Sequence, residues 1–257
     1  MATNCNSQSQ QITPASTSDT SENGQSQRTT TAASDTSDKK EVFGYRFVIT
    51  GDFDGDGKTE QLTEHYFSSR DNKETNKYYE GLDYDDAVRL AMEKKTYVFL
   101  NSDNPLIATL HIAKDGQAFG VSYLKNEGDL DGDGGDEISY VVDATDWSSI
   151  NIWHIMTYKK GKWKELYSFP MWDWQLPALP YMTNQYGLFG TEGKIVIPKD
   201  DTNNAMIEKN LHEFQGLVKK IKTNIIQITY QNDEAEIDTK IINLKQRKGK
   251  SGAKKRK

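Results

Sequence analysis

Between Val42 and Leu244 the chain is a succession of short runs in which apolar and polar residues alternate, rich in β-branched and aromatic side chains and punctuated by Gly, Asn and Asp. That is the signature of strands joined by turns. Strands are predicted over Tyr45–Thr50, Gln61–Phe67, Tyr97–Leu100, Leu106–Ile112, Phe119–Leu124 and Ile138–Val142, with a turn signal at Lys114-Asp-Gly-Gln117. The strongest hairpin is Ile152–Tyr158 and Trp163–Phe169 around Lys-Lys-Gly-Lys; a short strand at Lys194–Ile197 and a last hairpin from Asn224–Tyr230 and Ala235–Ile242 follow. Two segments keep a helical period instead. Asp83–Glu93 carries an acidic cap, Asp83, more acid in its first turn, and Ala87, Leu90 and Ala91 at helical spacing. Ile207, Leu211, Phe214, Val218 and Ile221 mark one face of a second helix. The expected class is mainly β, built of hairpins, plus two helices.

The ends differ from this body. Residues 1–40 are dominated by Ser, Thr, Gln, Asn and Asp, too poor in apolar surface to offset the entropy of ordering, so they are expected to form a disordered leader or tether before a β-rich domain over 41–244. Residues 245–257 hold eight Lys or Arg and no acid, which leaves residues 1–244 at about −14 of the formal net charge of −6. The folded body is thus acidic and ill suited to nucleic acid, whereas the basic tail, expected to be disordered, is the one segment with charge for it. No apolar run reaches the length of a membrane span. Cys5 is the single cysteine and excludes an intrachain disulfide. Its place ahead of a Ser/Thr-rich tether fits the lipidated cysteine of a bacterial lipoprotein whose signal peptide is missing from this sequence, a membrane tether. The residues before it, Met-Ala-Thr-Asn, are a poor processing site, and without lipidation the location is open as far as the cytoplasm.

Two stretches stand out chemically. Asp129-Leu-Asp-Gly-Asp-Gly-Gly-Asp-Glu137 sets carboxylates at Asp129, Asp131, Asp133 and Glu137, and Asp52-Phe-Asp-Gly-Asp-Gly-Lys-Thr-Glu60 repeats the pattern in register with Asp52, Asp54, Asp56 and Glu60. Like charges this close repel and raise one another's pKa unless a cation neutralises them, so each stretch is a metal site or a strained loop. All-oxygen, carboxylate-rich ligands on a flexible loop suit Ca²⁺ better than Mg²⁺ or Zn²⁺. The helix-loop-helix calcium motif needs a Glu at position twelve, where Thr63 and Tyr140 stand, and the flanks have strand composition.

On these residues the loops resemble those of the FG-GAP (integrin-α-type, VCBS-like) calcium repeats. The resemblance implies side-chain ligands at positions one, three, five and nine and a carbonyl ligand at seven. For this chain that gives Asp52, Asp54, Asp56, Lys58 (carbonyl) and Glu60, and Asp129, Asp131, Asp133, Gly135 (carbonyl) and Glu137, as two Ca²⁺ sites. It further implies blade-like units in a partial or atypical propeller-like architecture. Departures are Glu at position nine, the lack of a Phe-Gly…Gly-Ala-Pro segment, and two copies that begin 77 residues apart.

No catalytic constellation accompanies the loops. The histidines, His65, His111, His154 and His212, are scattered, and no nucleophile elbow or phosphate-binding loop is present. All five tryptophans lie between Trp147 and Trp174; they are expected to fill a β core, with Trp172 and Trp174 as the alternative of an exposed platform. The expected function is that of a non-catalytic, monomeric calcium-binding protein of the cell envelope or exterior that meets a protein or glycan partner. The alternatives are a glycan-processing or other hydrolytic enzyme working through carboxylates, and a nucleic-acid adaptor acting through the basic tail.

Overall fold

The computed structural model describes residues 41–42, 45–75, 77–79, 84–146, 148–177 and 201–246. The leader 1–40, the Lys194–Ile197 segment, Asp83, Trp147 and the tail from 247 lie outside the described residues. Among the described residues the chain is mainly β, with two helices. Its strands are β1 Glu41–Val42, β2 Val48–Gly51, β3 Glu60–Ser68, β4 Lys73–Glu74, β5 Tyr78–Tyr79, β6 Thr96–Ser102, β7 Leu110–Ala113, β8 Ala118–Gly128, β9 Glu137–Ala144, β10 Ile150–Lys159, β11 Lys162–Trp172, β12 Val218–Lys222, β13 Ile225–Gln231 and β14 Ile237–Asn243; helix α1 is Tyr84–Lys94 and α2 is Asp201–Glu213.

All pairings are antiparallel. One sheet runs β2-β3-β6-β7 with β4 on the end of β3, a second β8-β9-β10-β11, a third β12-β13-β14, and β1 pairs with β5. The first two sheets are built alike: an acidic loop joins the first strand to the second, and two more strands follow in antiparallel order. In the first sheet α1 is inserted before the third strand. Among the described residues each sheet is an open path, with no strand closing it into a barrel.

The second sheet is the middle layer. From β9 and β10, Ile138, Tyr140, Met156 and Tyr158 join Leu62, Val98 and Leu100 of the first sheet, Phe47 just before β2 and Phe53 from the first acidic loop in one core. The alternate positions Val141, Trp153 and Ile155 join Phe169, Met171, Ile226, Ile228 and Ile242 in another. Covered on both faces, β8 and β9 carry near-continuous buried runs instead of a clean alternation. A buried ion pair ties the layers: the Lys77 ammonium lies 2.7 Å from Glu64 Oε1 with both side chains shut off from solvent, while the N–H groups of Phe47 and Val121 also donate to Glu64. Burial pulls the Lys77 pKa down, against the attraction of Glu64. Gly120 admits this arrangement, since a Cβ there would stand 2.3 Å from Lys77 Cε.

Two expectations are corrected. The helix expected to reach Ile221 ends at Glu213: Gly216 takes a left-handed φ of 78°, and Val218 then pairs with Ile228 in β12. Val218 is buried, while Ile221, the extra residue where the register of β12 shifts between Lys220 and Lys222, is 48% exposed. The strand expected from Leu106 begins only at Leu110, because Asn104 turns the chain, its carbonyl accepting from Ile107 N–H and its side chain from Leu106 N–H. The aromatic cluster divides: Trp153 fills the core, whereas Trp174 is 62% exposed and stacks on Trp172 at 4.2 Å.

Candidate metal centre

Each acidic loop leaves the first strand of its sheet, makes a tight turn on glycines and enters the second strand at its Glu. Gly55, Gly57, Gly132 and Gly134 all adopt left-handed φ angles of 76–98°, which aim successive aspartates inward at little steric cost. The residue at position two anchors each loop, Phe53 in the first core and Leu130 in the second, both essentially inaccessible.

The internal wiring repeats. Asp52 Oδ1 accepts from Gly55 N–H at 2.9 Å, and Asp129 Oδ1 accepts from Gly132 N–H at 2.5 Å. Glu60 Oε2 accepts from Phe53 N–H at 3.0 Å, and Glu137 Oε2 accepts from Leu130 N–H at 2.6 Å. Position one thus caps the turn and position nine closes it. With the backbone so held, oxygens of Asp52, Asp54, Asp56 and Glu60 lie within 4.8 Å of one another, as do oxygens of Asp129, Asp131 and Glu137. Either set can hold a metal ion.

Asp133 is not part of the second set. Its Oδ2 lies 2.8 Å from the ammonium of Lys159, which also contacts Asp131 Oδ2. Of the two residues expected to offer carbonyls, Lys58 turns its ammonium onto Asp56 Oδ2 at 2.8 Å, and Gly135 is buried where the loops meet: a Cβ on it would lie 3.1 Å from the Phe53 carbonyl oxygen.

That meeting was not legible in either stretch alone. The Asp136 N–H donates to the Asp52 carbonyl at 2.6 Å, and Asp136 Oδ2 accepts from Asp52 N–H and, at 2.8 Å, from the Asn126 amide. The C-terminal sheet then grips the second loop. Asn224 donates from its amide to the Asp131 carbonyl at 2.6 Å and from its backbone to Leu130 at 2.8 Å, and Lys220 donates to the Asp129 carbonyl. Among the described residues the first loop receives one outside contact on its carboxylates, from the Asn104 amide to Asp54 Oδ2 at 3.3 Å.

Electrostatics follow these surroundings. Burial pushes Glu137 up to about 7, helped by the charge of Asp131 and opposed by the Leu130 and Asp131 N–H groups. Burial raises Glu60 as well, with the neighbouring aspartates adding to it. At Asp133 burial works upward, but the Lys159 ammonium and the Gly135 N–H outweigh it and hold the carboxyl low. Hydrogen bonds from Lys58 hold Asp56 low.

Two oxygens remain unused: Asp131 Oδ1 and Glu137 Oε1 are cut off from solvent and accept no hydrogen bond. Thr157 lies close enough to favour ionised Glu137 without meeting hydrogen-bond geometry on that oxygen. Buried carboxylate oxygens are costly when unpaired, and both belong to the converging set. Histidines play no part here; His65 and His154 pair with Glu74 and Glu165 on the sheets. No family model matches the sequence, and no curated protein or solved structure matches it either.

Proposed function

We propose that the chain is a non-catalytic calcium-binding β protein in which Ca²⁺ sets the shape of the two loops and, through them, of a surface that meets a protein or glycan partner at the cell envelope or outside the cell. The observation that carries this reading is the convergence of seven carboxyl groups on two centres, one of which keeps two buried oxygens without a hydrogen bond. The donors are all oxygen, the class that hard cations select, and the loops have the flexibility that suits Ca²⁺ more than Mg²⁺. Asp52, Asp54, Asp56 and Glu60 would hold one ion and Asp129, Asp131 and Glu137 the other. Bound there, the ion supplies positive charge that turns carboxylate repulsion into cohesion. The FG-GAP resemblance supports the same reading through the shared spacing and the strand-loop-strand setting. Loops of this type commonly bind weakly enough to need extracellular calcium, which favours the envelope or exterior location. The stacked Trp172–Trp174 pair, with Trp172 Nε1 donating to the Ala235 carbonyl at 3.2 Å, is the surface best suited to a sugar ring.

A ligand that binds only the folded chain stabilises it by about 2.7 kcal/mol at a hundred times its Kd. Thermal melts of wild type, Asp54→Ala and Asp131→Ala, in calcium and in chelator, test the proposal. Calcium should raise the melting temperature of wild type by several degrees and that of each variant by less. Curves that coincide in all three proteins would eliminate the reading.

A further inference from the structure

The two loops differ at position five, and the difference traces to one side chain. In the first loop Asp56 converges with its three partners, and among the described residues the only ammonium upon it, that of Lys58, lies on the outside with its side chain 79% exposed. In the second loop the equivalent Asp133 is drawn away by Lys159, which arrives from the end of β10, just before the hairpin turn at Lys160 and Gly161. Lys159 touches Asp131 and Asp133 together, and the Asp131 side chain it meets is only 9% exposed. The other Asp131 oxygen and Glu137 Oε1 stay unpaired beside it. The second loop is therefore neutralised from one side and unsatisfied on the other.

We propose that Lys159 is an internal competitor for the second cation position: its ammonium stands in for the metal in the metal-free chain, withdraws to solvent when Ca²⁺ binds, and releases Asp131 Oδ2 and Asp133 to the ion. This rests on the calcium reading of the loop. A lysine suits the role because its charge sits on a flexible stem with freely turning donors, and at 30% side-chain exposure Lys159 already borders water. The second site consequently loads at higher calcium than it would without the lysine. Cations too weakly bound to displace an ammonium are excluded from it.

Two measurements on the full chain test the proposal. In an Asp54→Ala background, which disables the first site, calcium titration by calorimetry compares Lys159 with Lys159→Gln and Lys159→Arg. Coupling between close charge pairs predicts a gain in affinity of about tenfold or more for Gln and none for Arg. Labelling of the wild type with an amine-reactive reagent, read by mass spectrometry, should find Lys159 protected in chelator and several-fold more reactive in calcium, with exposed Lys162 and Lys164 as unchanging references. Calcium binding with equal affinity in the Gln variant, or Lys159 reactivity indifferent to bound calcium, would overturn the role of Lys159 while leaving the calcium reading intact. Absence of calcium binding in every protein, wild type included, would overturn both. The labelling arm decides the matter even if the Gln variant fails to fold.

Discussion

The two acidic loops are near copies in sequence and in backbone wiring, yet they depend on the rest of the molecule in different degrees. The first holds itself: its aspartates accept from its own N–H groups, and among the described residues Asn104 is the one distant side chain on its carboxylates. The second is held by others, with Lys159 from β10 on its carboxylates and Lys220 and Asn224 from the C-terminal sheet on its carbonyls. A nine-residue pattern therefore fixes the path of a loop but not its charge state. Four carboxyl groups around one centre, with a solvated lysine outside, leave their negative charge largely uncompensated by the chain. Three carboxyl groups beside a half-buried lysine are partly compensated already.

The largest effects should come from the feature the loops share. Phe53 and Leu130 are both fully enclosed at position two, so Phe53→Ala should cost about 3–5 kcal/mol and Leu130→Ala about 2–5 kcal/mol in chelator, read by denaturant unfolding. A harmless Leu130→Ala would mean that the polar grip alone holds the second loop, and the comparison would need to be redrawn. Next comes the grip itself. Asn224 is buried, sits at a left-handed φ of 66° and donates to the second loop twice, so Asn224→Ala should cost about 1–3 kcal/mol. Asn224→Gly relieves the backbone and should recover part of that. Both should weaken calcium binding at the second site and leave the first as it was; equal losses at both sites would show that the C-terminal sheet supports the loops as one body.

A smaller effect separates the loops by pH. Glu137 titrates near 4.5 when unperturbed and at about 7 in the fold, so in chelator the folded chain holds a proton there that the unfolded chain has given up. Its contribution is complete below pH 4.5 and is lost as pH rises through about 7, a decline of roughly 1–3 kcal/mol. Burial of Glu60 and Glu127 tilts stability in the same direction. Glu137→Gln should flatten most of this slope in thermal melts between pH 5 and 7.5, and Glu60→Gln less of it. A slope untouched by Glu137→Gln would place the proton elsewhere and remove the electrostatic contrast between the loops.

Much of the scaffold was legible in the sequence because strand alternation is local. The hairpin of β10 and β11, the strands flanking both loops and the pairing of β13 with β14 all follow from period-two patterns. Val218 and Ile221 misled because their spacing also fits a helix, and only the turn at Gly216 decides between the two. The convergence of most of the carboxylates could be anticipated from spacing, since the glycines between them set the backbone. The diversion of Asp133 could not, because Lys159 lies 26 residues further along the chain in a turn that reads as ordinary solvated lysines. The contacts of Asp136 and Asn224 are equally remote in sequence, and no local pattern announces them.

The smallest effect is expected from the lysine that the sequence does place beside a carboxylate. Lys58 lies inside the first loop, two residues from Asp56, and its ammonium touches that carboxylate from solvent. An exposed pair of this kind gains little over its hydration, and salt screens what remains. Lys58→Ala should therefore leave the melting temperature in chelator within error of wild type. It should also raise calcium affinity at the first site by less than Lys159→Gln raises it at the second, most visibly at low ionic strength. The two lysines thus form a matched pair of tests on one motif: equal gains from both would mean that an ammonium acts through net charge alone, whereas a gain confined to Lys159 ties the contrast to burial and to its two-carboxylate grip.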